Sequence, residues 1–347
     1  MQTYIDANNN LIHLPNFNFD LTKIKKITIV ACGTSYYAGM IGKYLIEKIA
    51  NVEVEVDIAS EFRYRHTPFR DDNLMIFISQ SGETADSIAG LKHAKNNNQK
   101  ILSIVNVPHS TMAMLSDGVI RTVAGPEIGV ASTKAFTAQI AILYIFAINL
   151  AFVKNHISSS QLAKYIQELA QCANKTKKSL DDNSIGNIKK VASKLVKAKN
   201  ILYIGRGISA VNALESALKF RELTYVNAQG IAAGELKHGT IAVIDEKFPV
   251  IVIGARNSDN ELFEKTLSNA QEVNARGGKI IFISDKKGLN MIGKLAKYRL
   301  EILEIKSLIE EAILPIITTQ LLAYYVAYFK GNDVDQPRNL AKSVTVE

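Results

Sequence analysis

The chain has 347 residues, of which 47% are hydrophobic and 21% are charged, close to the average of globular proteins. This composition excludes an intrinsically disordered chain, and the length suits about two domains. The only cysteines, Cys32 and Cys172, are too few for a disulfide framework or a cysteine-based zinc site, and they fit a reducing cytoplasm.

The net charge is +8, from 41 Lys and Arg against 33 Asp and Glu. A positive balance can attract anionic partners, but no dense basic block with interleaved aromatic residues occurs, so we expect no nucleic-acid partner. Residues 1–6 lack the basic start and apolar core of a signal peptide, which favours a cytoplasmic protein. Polar residues interrupt the apolar stretches 135–153 and 313–329, so we predict buried helices and no membrane association.

The first half of the chain predicts a parallel α/β domain. Residues 1–20 are polar and rich in asparagine, which indicates an irregular lead-in. Continuously apolar, β-branched runs then alternate with helical patterns, as a parallel sheet covered on both faces requires. We predict strands at 27–30, 52–57, 74–79, 100–105 and 118–122, in a domain spanning 21–153.

The second half repeats this pattern. Residues 154–199 predict a helical linker of two helices, broken near 181–184. Strand patterns at 200–204, 248–254 and 279–284 then echo those of the first half, which indicates an internal duplication. The predicted fold is therefore α/β, with two tandem αβα sandwich domains at 21–153 and 200–330 and a C-terminal tail at 331–347.

A run of hydroxyl groups marks the first candidate site. Ser79, Ser81 and Thr84 surround Gly82 between a predicted strand and its helix. Helix N-termini offer free N–H groups and a positive dipole end, so they hold phosphate without a metal. An ordinary helix cap needs one hydroxyl group rather than three, and we therefore predict a phosphate-binding loop.

Two further hydroxyl-rich segments accompany this loop. Thr34 and Ser35 follow the first strand, and residues 129–134 precede the apolar helix at 135–153. Because ligands of parallel sheets bind at the carboxyl ends of strands, the loops after the first and third strands can converge on one ligand. Segment 129–134 taken alone is equally typical of a helix cap.

The second domain opens with residues 205–210, which match the G-x-G-x-x-A pattern of dinucleotide sites. Such a site expects an acidic residue at the end of the next strand. Glu222 instead lies within the following helical pattern, so we do not favour a dinucleotide site.

The helix predicted at 211–223 places Glu215, Lys219 and Glu222 on one stripe. The stripe is typical of a solvated face of ion pairs. Against that interpretation, little room is left for a second polar face by Ala213, Leu214, Ala217 and Leu218. Downstream, His238 lies in a polar turn beside glycine, where an imidazole can move protons near neutral pH.

The last 17 residues, 331–347, would be a frayed terminus on physical grounds alone. Pro337 restricts the backbone, which lowers the cost of ordering the tail. Leu340, Val344 and Val346 are predicted to act as apolar anchors.

These segments together resemble the isomerase half of the glucosamine-6-phosphate synthase family, also called glutamine–fructose-6-phosphate aminotransferase (isomerising). That half is a tandem of two sugar isomerase (SIS) domains, and the resemblance covers the chain from about Lys25 to Glu347. The motifs that carry it are ACGTS at 31–35, ASEFRYR at 59–65, SQSGETAD at 79–86, EIGVASTKAF at 127–136, AGELKHG at 233–239 and DQPRNLAKSVTVE at 335–347.

The resemblance implies fructose 6-phosphate and glucosamine 6-phosphate as ligands, a homodimer, and neither a metal nor a redox cofactor. Glu222 would move the proton between C1 and C2 with help from Lys219, Lys342 would form a Schiff base, and His238 would open the sugar ring from the neighbouring subunit. The substrate would be bound by Thr34, Ser35, Ser79, Gln80, Ser81 and Thr84 at the phosphate and by Val130, Ser132 and Ala341 along the sugar.

The chain departs from the family pattern in three respects. It shows no N-terminal cysteine nucleophile of a glutaminase, so a glutaminase domain is expected only if the natural chain is longer. Thr240 stands where proline is usual, and Arg221 where lysine is usual; both are tolerable. Two alternatives stay open: a SIS-type glucosamine-6-phosphate deaminase, and a non-catalytic sugar-phosphate-sensing module. The second predicts either a DNA-binding helix pair or loss of Glu222 and Lys342, and the sequence indicates neither.

Overall fold

The computed structural model describes residues 3–6, 8–256 and 260–345. The chain divides into two compact units. Unit 1 comprises Met1–Ile128, Ser132–Leu169 and Ala341–Glu347, and unit 2 comprises Gly129–Ala131 and Ala170–Leu340. The end of the chain therefore belongs to the first unit, and a short segment from the first half belongs to the second.

Unit 1 is built on a five-stranded parallel sheet of order β4-β3-β5-β6-β7. The strands of this unit are β1 (Ile5–Asp6), β2 (Leu11–Ile12), β3 (Lys26–Ala31), β4 (Glu53–Ile58), β5 (Asn73–Ser79), β6 (Lys100–Val105) and β7 (Gly118–Arg121). Its helices are α1 (Gly33–Ala50), α2 (Ala59–Phe62), α3 (Ala85–Asn96), α4 (Thr111–Leu115), α5 (Lys134–Val153) and the first part of α6 (Ser159–Lys178), with a 3₁₀ turn at Leu21–Lys23.

Unit 2 repeats this topology with the sheet order β12-β11-β10-β8-β9, again all parallel. Its strands are β8 (Asn200–Gly205), β9 (Asn227–Ala232), β10 (Pro249–Ile253), β11 (Lys279–Ser284) and β12 (Tyr298–Glu301). Its helices are α7 (Asp182–Leu195), α8 (Ile208–Thr224), α9 (Asn260–Asn274), α10 (Lys286–Ile292) and α11 (Leu308–Phe329), with 3₁₀ turns at Ala233–Lys237, Thr240–Val243 and Gly293–Leu295. In both sheets the first strand lies between the second and the third, so the predicted fold class and duplication are confirmed.

The two long apolar helices are core elements. Helices α5 and α11 are long and apolar enough to cross a membrane by length and composition, yet 67% and 61% of their most apolar windows are buried. Leu143 and Tyr144 of α5 and Leu314 and Leu322 of α11 are fully buried. The predicted buried helices are confirmed.

The lead-in differs from the prediction of irregular structure. Strands β1 and β2 pair antiparallel, and Tyr4 is 6% exposed. The Tyr4 hydroxyl donates to the Arg121 carbonyl at 3.1 Å and accepts from the Arg121 N–H at 3.0 Å. A side chain thus bonds the free edge of β7, a long-range contact that composition cannot reveal. Met1, Gln2 and Ala7 lie outside the described residues.

The predicted linker is also more integrated than expected. Helix α7 starts where the break was predicted, with the Asp181 carboxylate accepting from the Ser184 N–H at 2.7 Å. Its apolar face, including Ile188, Val191 and Leu195, is part of the core of unit 2. An amphipathic helix that buries one stripe belongs to the domain it covers, so residues 182–195 are a structural helix rather than a linker.

Candidate active site

In unit 1, the hydroxyl-rich loops lie at one edge of the sheet. Strands β3 and β5 are neighbours in parallel register, so the segments that follow them emerge side by side. Ser35 lies in the first turn of α1, where its hydroxyl accepts from Gln139 Nε2 at 3.0 Å. Thr34 precedes it and is half-buried. The structure therefore brings Thr34 and Ser35 to the same edge as the predicted phosphate-binding loop, residues 79–84.

Hydrogen bonds within the phosphate-binding loop order its hydroxyl groups. Ser79 Oγ lies 3.1 Å from Thr84 Oγ1 and accepts from the Gly82 N–H at 3.0 Å. Ser81 Oγ accepts from the Glu83 N–H at 3.1 Å. Helix α3 begins immediately afterwards at Ala85. Hydroxyl groups and a helix N-terminus thus share one short segment, which suits an anion such as phosphate.

Gly82 fixes the conformation of this loop. Its φ is +70°, and a Cβ added there would lie 2.1 Å from the buried Ser110 Oγ. Glu83 pins the same segment, because its carboxylate accepts from the Thr111 N–H at 2.7 Å. The glycine is therefore required both by the backbone conformation and by a neighbouring side chain.

Gly82→Ala should lower the free energy of unfolding by about 2–4 kcal/mol, since it combines left-handed strain with overpacking against Ser110. Denaturant unfolding measures the loss. Gly125→Ala is the matched control: its φ is +68°, but nothing lies within 4 Å of the added Cβ, so about 1–2 kcal/mol is expected. Equal losses in the two variants would contradict the steric role of Ser110.

The end of the tail closes over this loop within unit 1. Ser343 Oγ lies 3.0 Å from Ser81 Oγ, and the Val344 carbonyl accepts from the Ala85 N–H at 3.1 Å. The predicted apolar anchors are wrong for the two that are described, because Leu340 is 43% exposed and Val344 is 58% exposed. Polar contacts hold this part of the tail instead, and Val346 lies outside the described residues.

Lys342 lies in the same part of the tail and contacts a residue to which the sequence assigned no role. Its ammonium donates to Glu127 Oε2 at 2.5 Å. The other carboxylate oxygen, Oε1, accepts from the N–H groups of Thr133 and Ala135 at 2.9 and 3.2 Å. Glu127 thus caps the start of α5 and holds Lys342 at once. Its place in the motif at 127–136 was the available signal, but only the fold shows the contact.

The Glu127 carboxylate is 5% exposed. Burial raises its pKa, but the Lys342 ammonium and the two backbone N–H groups together outweigh burial and hold the pKa below its usual value. An ionised carboxylate therefore faces the lysine predicted to act as the nucleophile.

The remaining predicted sugar contacts fall into different units. Ser132 and Ala341 belong to unit 1. Val130 belongs to unit 2, where its N–H donates to the Asp335 carbonyl at 2.9 Å. In unit 1, the main-chain carbonyl of Gln80 accepts a hydrogen bond from the main-chain N–H of Asn106. The substrate roles of these four residues stay predictions.

In unit 2, helix α8 carries a buried network of charges. Lys219 is 2% exposed and forms an ion pair with Glu222, and Glu215 Oε1 lies 3.7 Å from its ammonium. The Glu215 side chain is fully buried, whereas that of Glu222 is 20% exposed. The structure therefore rules out the solvated face, and Glu222 is the carboxylate of the three groups that reaches the surface.

The position of Glu222 is unfavourable for stability alone. It lies in the last turn of α8, which ends at Thr224, where the negative end of the helix dipole repels a carboxylate. Lys219, one turn earlier, supplies the compensating positive charge. A carboxylate held against the dipole at the surface by a buried lysine is suited to accept and return a proton.

His238 also lies in unit 2, at the end of the 3₁₀ turn Ala233–Lys237, and its side chain is exposed. The main-chain N–H of His238 donates to the Glu235 carbonyl, whereas its imidazole makes no hydrogen bond to any described residue. The ring is available to a ligand or to another chain.

The glycine pattern at 205–210 has a structural explanation. A Cβ on Gly205 would lie 2.3 Å from the Ser209 carbonyl oxygen, so the turn from β8 into α8 requires glycine. Glu222 lies inside α8 and not at a strand end. The absence of a dinucleotide site stays a prediction.

Comparison with known proteins places these two units in a family. The family model of the SIS domain matches residues 20–149 and 194–330, which together make up more than half of the chain. The chain belongs to the SIS domain family. Both SIS matches cover a five-stranded sheet of the kind described above.

The chain is also similar to longer proteins that contain a matching segment. A glutamine–fructose-6-phosphate aminotransferase (isomerizing) from Zymomonas mobilis is 49% identical over 347 residues, 100% of this chain and 56% of that protein. The chain thus spans about half the length of this curated relative.

Two solved structures resemble the SIS chain. The C-terminal domain of glucosamine-fructose-6-phosphate aminotransferase from Francisella tularensis has a TM-score of 0.87 and 41% identity, covering 91% of this chain and 87% of that one. A glucosamine-6-phosphate deaminase from Thermotoga maritima has a TM-score of 0.72 and 21% identity, covering 94% and 93%; this second likeness shows the fold alone. The SIS chain thus corresponds to the isomerase half of the aminotransferases.

Proposed function

We propose that the chain is the sugar-phosphate half of an isomerising aminotransferase, which converts fructose 6-phosphate and ammonia into glucosamine 6-phosphate, the entry step of amino-sugar biosynthesis. The observation that carries the proposal is the pair of Lys219 and Glu222 on α8. Burying a lysine beside a partly exposed carboxylate contributes little to the stability of the fold, because desolvation of the charge is costly. The same arrangement suits a carboxylate that moves a proton between adjacent carbons.

The proposed reaction assigns each step to a named group. The loop at 79–84 binds the phosphate, and His238 opens the sugar ring. Lys342 attacks the C2 ketone with loss of water, which gives a Schiff base that ammonia displaces. Glu222 then removes a proton from C1 of the resulting imine and returns a proton to C2, which gives the amino sugar. The chain's own side chains suffice for these steps, so the proposal includes neither a metal nor a redox cofactor.

The proposal extends to assembly and location. The exposed imidazole of His238 supports a homodimer in which this side chain serves the neighbouring subunit. Because the chain covers 56% of its relative's length, we propose a glutaminase domain as its ammonia source. A cytoplasmic location fits a chain whose two cysteines, Cys32 and Cys172, are both free.

The deaminase alternative uses the same groups in the reverse direction, and its only support is a likeness of fold. A sensing module would need neither Glu222 nor Lys342. The first of these side chains is held at the surface by a buried lysine, and the second is held by a buried carboxylate. Both arrangements favour catalysis over sensing.

The purified 347-residue chain tests the proposal directly. With fructose 6-phosphate alone it should form glucose 6-phosphate slowly, and with added ammonium it should form glucosamine 6-phosphate, both followed by NMR. Glutamine should yield no glutamate with these residues alone. A chain that binds fructose 6-phosphate but converts it to neither product would contradict the proposal and favour the sensing module.

Ser81→Ala combined with Thr84→Ala should weaken fructose 6-phosphate binding by roughly 2–4 kcal/mol, since each lost hydrogen bond to a charged group contributes about 1.5–3 kcal/mol and some compensation follows. Calorimetry measures the affinity. The matched control is Ser193→Ala, an exposed serine of α7, which should bind like the parent chain. Unchanged affinity in the double variant would show that the phosphate does not bind at this loop.

A further inference from the structure

The base of the tail is fastened to the C-terminus of α8 within unit 2. Asn332 Nδ2 donates to the Leu223 carbonyl at 2.8 Å. The Arg338 N–H donates to the Tyr225 hydroxyl at 2.9 Å, and the Arg338 guanidinium lies 4.3 Å from the centre of the Tyr225 ring. The same short stretch of chain that carries Glu222 therefore holds the tail.

Tyr225 has a backbone conformation that a bulky residue rarely adopts. It ends α8 with φ +59° and ψ +20°, in the left-handed region. The equivalent helix of unit 1, α1, ends in the same conformation on Asn51, at φ +51°, and asparagine tolerates it far better. Asparagine at position 225 would adopt this backbone conformation with less strain. The backbone conformation therefore does not explain why a tyrosine is present.

The surroundings of Arg338 supply that explanation. No acidic side chain among the described residues forms an ion pair with it, and Lys330 is a cation close by: burial, together with the positive charge of Arg338, lowers the pKa of Lys330. Against this repulsion, the Tyr225 ring and hydroxyl are the attractive contacts of Arg338. Tyr225 therefore holds Arg338 in a position that the charges of the neighbouring side chains would not favour.

We propose that Tyr225 is a positioning residue for the Schiff-base step, a role that rests on the proposed function of Lys342. Arg338 lies four positions before Lys342 in the chain. Fixing Arg338 shortens the segment that must be ordered for Lys342 to reach Glu127 and the substrate, which lowers the entropic cost of presenting the amine. Tyr225, at the end of α8, thus holds the tail at Arg338, four residues before the proposed nucleophile.

Tyr225→Asn separates positioning from stability. Asparagine relieves the backbone strain, so the variant should melt at the same temperature or higher and bind fructose 6-phosphate within about twofold of the parent. Borohydride trapping of Lys342 should nevertheless slow by roughly tenfold, since both the hydrogen bond and the stacking are lost. Tyr225→Phe keeps the stacking and should slow trapping by about two- to fourfold.

Amide hydrogen exchange of residues 332–345 without substrate gives a second readout that needs no catalysis. Exchange should be faster in Tyr225→Asn and, to a smaller extent, in Arg338→Ala, which loses the ring contact but keeps the main-chain N–H that donates to Tyr225. The double variant should exchange and trap like Tyr225→Asn, because that substitution already removes both contacts. Tyr328→Asn, an exposed tyrosine of α11 that is 62% accessible, should leave both measurements unchanged.

The outcomes separate this proposal from the proposed function. If the parent chain gives no adduct at Lys342, the proposed function fails, and tail exchange alone decides whether Tyr225 holds the tail. If Tyr225→Asn traps at the parent rate, or slows trapping without loosening the tail, Tyr225 is not a positioning residue.

Discussion

Borohydride reduction of the chain with fructose 6-phosphate should attach one sugar phosphate to Lys342. The amine adds to the C2 ketone and water leaves, and hydride then reduces the C=N bond to a stable secondary amine. The tail brings Lys342 onto the buried Glu127 and lays Ser343 beside the phosphate-binding loop. Mass spectrometry of the digested chain should find the adduct in the peptide that contains Lys342.

Lys342→Arg should give no adduct and should lose amino-sugar formation. Arginine keeps the positive charge that Glu127 needs, but it stays protonated and cannot attack a ketone. The matched control is Lys134→Arg, an exposed lysine at the start of the same helix that Glu127 caps, and it should be labelled like the parent chain. An adduct on another lysine, or equal labelling of Lys342→Arg, would show that Lys342 is not the nucleophile.

Glu222→Gln should reduce the exchange of the C1 proton of fructose 6-phosphate with deuterated water by roughly 10²–10⁴-fold, the usual contribution of a positioned general base. Glutamine keeps the shape of the side chain and can still accept a hydrogen bond from Lys219, but it cannot take up the proton. NMR follows the loss of the C1 proton signal.

Substrate binding and Schiff-base trapping at Lys342 should persist in Glu222→Gln, because the phosphate-binding loop and the tail end belong to unit 1. Glu264→Gln, an exposed glutamate of α9, should exchange the proton at the parent rate. Exchange near the parent rate in Glu222→Gln would assign the base to another residue, with Glu215 as the next carboxylate of the network.

The sequence was sufficient for the architecture because its signals are local. Continuous apolar runs, such as Lys100–Val105 and Lys279–Ser284, predict strands buried on both faces, and the structure has both strands with these bounds. The repeated order of strands and helices predicts two domains of one topology. The clustering of Ser79, Ser81 and Thr84 likewise places a hydroxyl-rich loop at a helix N-terminus without reference to the rest of the chain.

The tertiary structure decided what depends on contacts between distant segments. Tyr4 bonds β7, and Glu127 holds Lys342 across 215 positions of sequence. No periodicity encodes either contact, because each joins side chains that only the folded sheet brings together. The same limit explains the error about the tail, whose apolar residues suggested hydrophobic anchoring although hydrogen bonds hold it.

The charges on α8 show this division within one helix. The spacing of Glu215, Lys219 and Glu222 determined that the three side chains share a stripe, because 3.6 residues make a turn. Whether that stripe meets water or the core depends on the elements that cover α8, and burial of Lys219 to 2% exposure decided it. Periodicity belongs to the chain, whereas the solvent exposure of a stripe, and hence the chemistry of its charges, belongs to the fold.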